Sequence, residues 1–157
     1  MGRVYTITIS GIASPAAAFD FVEISPAANK PVAIRRIRIA QTSEPTTEEE
    51  QLPLTVVRGH TTSGSGGDTT PDGGPLSGSS TAAAAGYTAE TMNTTIASAG
   101  TAVNLIEDAW NTRSGCDLAL APEEAPECVN GMLLVVRSGA PSDAVTIRGT
   151  IWVEELA

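Results

Sequence analysis

The chain has a single histidine, His60, and serines follow it at positions 63 and 65. These are the side-chain types of a nucleophile and its base, which need hydrogen-bond contact and a third group to orient the base. The frame of a nucleophile elbow is missing around Gly64-Ser65-Gly66. A lone histidine beside Arg58 at a strand end instead reads as a hydrogen-bonded structural residue. The run Ser63-Gly64-Ser65-Gly66-Gly67-Asp68 has the glycine content of a phosphate loop, but no Lys-Ser/Thr closes it and no helix start follows. Asp68 and Asp72, near Gly73 and Gly74, lack the closing bidentate Glu of a calcium loop.

Glu48, Glu49 and Glu50 are adjacent carboxylates on a polar loop. Acid–base work on a glycosidic bond needs two acids facing one cleft at a set separation, so this run reads as a solvated face or a contact for a basic partner. Arg35, Arg36 and Arg38 share one strand. In an acidic chain they are expected to pair with its own carboxylates, to blunt an edge strand, or to bridge to another subunit. Cys116 and Cys128 are too few for a disulfide scaffold and stand in no Cys/His cluster. Pairing across neighbouring strands is open to them, and free buried thiols are the expected state for a protein made in a cytosol. No catalytic, cofactor or metal residue is therefore assigned.

Bulk composition narrows the partners. The chain has 157 residues, 9 basic and 18 acidic, for a net charge of −9. Nucleic-acid binding relies on a basic stripe that displaces counterions, and an anionic membrane surface asks for the same sign of charge, so neither partner is expected. The N-terminal Met1–Tyr5 runs straight into a strand pattern with no apolar leader, and no apolar run reaches the length of a membrane span.

The elements that must position these residues read as strands. Tyr5, Ile7 and Ile9 alternate with Thr6 and Thr8 over 4–10, followed by a turn at 11–15. Residues 18–24 alternate and then shift phase, which predicts a bulge. Residues 25–29 read as a helical turn or tight loop. Further strands are expected over 31–41, 52–58, 103–110, 116–120, 132–137 and 144–154. Pro53 marks an edge or entry position in its strand. The near-continuous apolar run at 132–137 predicts a central strand buried on both faces. A loop is expected over 42–51 and an acidic loop over 122–127. About eight strands with short turns predict an all-β antiparallel sandwich or jelly-roll-like barrel in one domain, 1–157, with the first and last strands paired.

Residues 59–86 break the pattern. This stretch of Gly, Ser and Thr reads as an extended loop or arm within the domain, too long for an ordinary connection. Its low hydrophobicity predicts that it orders only on contact with a partner. One or two helical turns are expected at 80–86, capped by Ser80 and stopped by Gly86. Residues 87–102, rich in Thr and Ala, are expected to lie extended against a partner.

Three runs carry a resemblance: Arg58 to Gly67 (RGHTTSGSGG), Ala89 to Val103 (AETMNTTIASAGTAV) and Gly149 to Glu155 (GTIWVEE). They resemble segments of small virion proteins of tailed bacteriophages and prophages, and the likeness extends from Val4 to Glu155. The first two runs are distinctive and the third is a common strand. Insert lengths around 71–80 and 122–130 vary within the group. The resemblance implies a structural capsid decoration (cement) protein, with no catalytic residue and no cofactor. Such a protein is made in the host cytoplasm and sits on the capsid exterior of the virion. Its implied partners are the major capsid protein and itself, as a homo-oligomer, commonly a trimer. Arg58, His60, Thr61, Thr62, Ser63, Gly64, Asn93, Thr94 and Thr95 are the partner-contact candidates. The alternatives are a tail- or fibre-associated β-domain that binds a host receptor or glycan, and a small hydrolase.

Overall fold

In the computed structural model, the described residues are 2–43, 49–78 and 85–156. They form eleven strands: β1 (Arg3–Ala13), β2 (Phe19–Pro26), β3 (Val32–Gln41), β4 (Gln51–His60), β5 (Gly73–Pro75), β6 (Tyr87–Asn93), β7 (Val103–Asn111), β8 (Cys116–Ala119), β9 (Glu127–Cys128), β10 (Leu133–Ser138) and β11 (Thr146–Glu155). Two antiparallel sheets pack face to face. Sheet A runs β5-β1-β11-β3-β8, with β9 also beside β3, and sheet B runs β6-β2-β10-β4-β7.

The pairings nest. Strand β1 pairs β11, β2 pairs β10, β3 pairs β8 and β4 pairs β7. This is one long antiparallel hairpin rolled over so that its odd and even pairs fall in opposite sheets, the strand order of a double-sheet jelly roll. It is a sandwich and not a closed barrel. The expected pairing of the first and last strands is present, with Tyr5 opposite Val153 and Ile9 opposite Gly149.

Alternation explains the core. Ile7 and Ile9 of β1, Ile37 and Ile39 of β3, and Ile147, Ile151 and Val153 of β11 face inward from sheet A. They meet Val22 and Ile24 of β2, Leu54 and Val56 of β4, and Leu134 and Val136 of β10. Phe21 packs edge-on against Phe19 (4.8 Å between centroids) and Trp110 (5.5 Å). The Trp110 indole donates to Ser138 Oγ at 3.0 Å, which satisfies its one buried polar atom.

The expected bulge in β2 falls at Phe21: Val136 faces Val22 but Arg137 faces Asp20, so one β2 residue is extra. The bulge turns Asp20 and Glu23 to the outer face of sheet B. The first three residues of the expected turn at 11–15 instead continue β1 to Ala13. Gly11, with φ +73°, supplies a left-handed bulge residue, and pairing resumes at Ile12 opposite Ile147. Pro53 is an entry residue, but of an interior strand, since β4 lies between β10 and β7. Strand β9 begins at Glu127, the last residue of the expected acidic loop, and the 25–29 turn is tight, with Asn29 at φ +59°. Cys116 lies opposite Ile39 and Cys128 opposite Val32. Seven residues along β3 separate the two by about 23 Å, far beyond the Cα span of a disulfide, and both thiols are free.

The long insertion between β4 and β7 departs most from expectation. It does not stand off the body. Its first part zips against 91–98 and then crosses to sheet A, where β5 pairs β1 and Asp72 O accepts from Thr8 N at 2.8 Å. At Thr62, Ser65, Asp68, Asp72 and Leu76 the polar backbone is bonded within the chain. Residues 87–102 likewise lie on the body, as strand β6 and the returning segment. Glu48 and residues 80–84 of the helical turns expected at 80–86 lie outside the described residues.

Candidate interaction surface

The bulge in β2 creates a problem that the insertion resolves. Asp20 is fully buried and Glu23 nearly so, and an unpaired buried carboxylate is costly. Arg137, the residue opposite Asp20, forks onto it, with Nε to Oδ1 at 2.6 Å and Nη2 to Oδ2 at 3.1 Å. The backbone of Ala97 closes the ring: its N–H donates to Asp20 Oδ2 (2.7 Å) and its carbonyl accepts from Arg137 Nη2 (3.0 Å). The Ala97 methyl seats on Val57, Leu133 and Val135, a small apolar cluster on the outer face of sheet B. Strand β10 is thus buried on both faces, as its apolar run predicts.

Glu23 has no cation partner among the described residues. It accepts instead from Ser63 Oγ (2.7 Å), from Gly64 N (2.9 and 3.1 Å) and from Asn93 Nδ2 (2.8 Å). Glu90, directly across the β2–β6 pair, also accepts from Asn93 Nδ2 at 2.9 Å. Two carboxylates opposed in register repel, and the shared amide donor offsets that repulsion. Asn93 Oδ1 and Thr91 Oγ1 are buried and accept no hydrogen bond among the described residues.

Above these carboxylates the insertion forms a ladder of reciprocal backbone pairs. Thr62 bonds Ser98, Ser65 bonds Thr95 and Asp68 bonds Thr91, all at 2.8–3.0 Å. Glycine is required where the ladder presses on the sheet: a Cβ on Gly64 would overlap Thr95 O and Glu23 Oε1. Met92 and Ala99 adopt left-handed φ values of +57° and +55° at the two ends of the returning segment.

Eight of the nine partner-contact candidates are brought together here, whereas Arg58, opposite the inward-facing Leu134, points away toward β9 of sheet A. Asn93 and Gly64 are inner supports, bonded to Glu23. His60 is a tether to the returning segment. His60 Nδ1 lies 3.1 Å from Ala99 O and Nε2 lies 3.5 Å from Arg137 Nη1. A carbonyl only accepts and a guanidinium only donates, so these partners select the neutral Nδ1–H tautomer. Arg58 Nη1 donates to Glu127 O at 3.0 Å. Thr61, Thr62, Ser63, Thr94 and Thr95 are exposed, as are Ser65 and Ser98, and they form a ridge of hydroxyls on the outside of the molecule. Ser63 Oγ goes to Glu23 and both His60 nitrogens go elsewhere, so the histidine and serine of a paper triad do not meet. Asp68 Oδ1 caps Thr70 N at 2.9 Å, and no group of three metal-ligating side chains occurs among the described residues.

Asp20, Glu23, Glu90 and Arg137 are the residues that sequence reasoning missed. The available signal was two carboxylates inside the apolar run Phe19–Ile24, which a phase shift must turn to one side. No protein-family model matches the chain, and neither does any curated protein or solved structure.

Proposed function

We propose that the chain is a structural virion protein, a decoration protein that binds the outer surface of a tailed-phage head and stabilises capsomer contacts. The observation that carries this reading is the hydroxyl ridge at 61–65 and 94–98, a broad surface held from beneath by the buried carboxylates Asp20 and Glu23. A preorganised surface loses little conformational freedom on binding, which suits a clamp that spreads its binding energy over a wide area. The two runs with the distinctive phage-like sequence, 58–67 and 89–103, contain the two segments that zip together to make this ridge. Jelly rolls occur in viral shells and in lectins, so the fold is compatible with the role without assigning it.

Counting this chain in purified particles from its source tests the proposal. Hundreds of copies per particle are expected. A handful would move it to the tail or fibre, and none would end the virion reading. Replacing Thr62 and Thr95 with arginine should leave the fold intact and strip the protein from the shell; retention at wild-type copy number would exclude the ridge as the contact.

A further inference from the structure

The outer face of sheet A, on the other side of the molecule from the ridge, carries a second surface. Alternation on β11 points Arg148, Thr150 and Trp152 outward. Register places Ser10 and Ala40 beside Arg148, Thr8 and Arg38 beside Thr150, and Thr6 and Arg36 beside Trp152. The arginines here differ in their partners. Arg36 holds both oxygens of Asp117, at 2.7 and 2.6 Å, and stacks over Trp152 at 5.2 Å. Arg35 pairs with Glu154. Arg38 is opposite Asp117 in register, but both Asp117 oxygens are engaged by Arg36. Arg148 has no carboxylate partner among the described residues, although acidic residues outnumber basic ones 18 to 9.

Arg38 and Arg148 are exposed diagonal neighbours on adjacent strands, about 7–8 Å apart at Cα. The Arg148 guanidinium lies over Gly11 of β1, and Arg38, on β3, faces Asp117 of β8, so the two cations stand on opposite sides of β11. They flank a trough of about 520 Å³ lined also by Thr8, Ser10, Thr42 and Thr150. Thr8 Oγ1 donates to Asp72 O, while the side chains of Ser10, Thr42 and Thr150 make no hydrogen bond to another described residue. The trough therefore offers two guanidinium groups and four hydroxyls beside an apolar wall to which Ile9, Ala40 and Gly149 contribute.

We propose that this trough binds a carboxylated saccharide. The forks match a carboxylate bidentately, and the hydroxyls match the neighbouring sugar hydroxyls. An acidic side chain of a protein would bring a carboxylate without the adjacent hydroxyls that Ser10, Thr42 and Thr150 can meet, whereas a sugar ring also sets its C–H face on the apolar wall. A nucleic acid would bring one charge per nucleotide against a molecule of net charge −9. The site lies apart from the ridge, so it holds or fails whether or not the chain decorates a capsid.

The test uses the isolated chain and a short oligogalacturonate, followed by amide shifts and calorimetry at low salt. Binding should perturb Ser10, Arg38, Arg148 and Thr150. Arg38→Gln and Arg148→Gln should each weaken it at least about tenfold, with the lysine variants in between because they keep the charge and lose the fork. Arg113→Gln, at an exposed arginine elsewhere, should bind like wild type. No binding at millimolar saccharide would overturn the proposal. Equal or tighter binding of the neutral oligosaccharide, a sulfated one or a glutamate-rich peptide would do the same, as would wild-type binding by the double variant.

Discussion

Gly64 shows how much of this molecule rests on a single missing side chain. Its N–H reaches both oxygens of Glu23 because nothing stands between its Cα and the 91–95 backbone. Alanine there would push the ladder off the sheet and remove donors from a buried carboxylate at once. Gly64→Ala is expected to cost about 2–4 kcal/mol, the sum of steric displacement and an under-satisfied buried charge. Chemical denaturation measures this directly. A cost below about 0.5 kcal/mol would mean that the ladder is not seated as described. Gly74, with open space around it, is the matched control and should accept alanine nearly neutrally.

At the scale of elements, the insertion and sheet B fold as partners. Arg137 joins them, bonding Asp20 of β2 and Ala97 of the returning segment. Arg137→Met keeps the volume and the strand but leaves Asp20 buried without its counter-charge. A loss of about 3–5 kcal/mol is expected. Amide exchange at Thr62, Ser65 and Asp68 should accelerate first, because their ladder is anchored through Ala97. Uniform acceleration across both sheets would show that Arg137 supports the whole body and not this clasp. The element scale is also where sequence reasoning stopped. Alternation exposed the long strands, since each buries one face and solvates the other. It was silent on β5 and β9, which are too short to show a period and owe their place to β1 and β3. It reads 59–86 as an arm because glycine and serine carry no burial signal, whereas what fixes the described part is backbone pairing with 91–98 and the bonds of Gly64 N to Glu23 on a distant strand. The division of the candidate residues into supports, tether and exposed ridge was not legible, because it depends on which side of a β2 bulge each neighbour falls.

For the whole molecule, pH probes how the body and its corners are held. Burial pushes the Cys128 thiol up to about 11, and burial is also the main cause that raises Tyr87, helped by Tyr5 and Glu155. Cys116 is raised by burial and then by Asp108 and Asp117. Each of these acids is held neutral in the folded state, so the unfolded chain ionises first as pH rises. Stability is therefore complete below pH 9 and falls between 9 and about 11 for Cys128. The acid side has the opposite sign. Burial pushes the Glu155 carboxyl up, but the Lys30 ammonium and the Gly86 N–H, each at 2.9 Å, outweigh it and hold it below its usual 4.5. Its contribution is present above that value and is lost as pH falls through the lowered one. A plot of unfolding free energy against pH should have a plateau between about 5 and 9 with a fall on each side. Lys30→Met should bring the acid fall to higher pH and leave the alkaline one in place. Tyr87→Phe, which keeps the ring packed edge-on to Tyr5 at 5.9 Å, should soften the alkaline fall alone. If both variants move both limbs together, the corner where β1, β6 and β11 meet is not held by these separate groups, and its stability is a property of the sandwich as a unit.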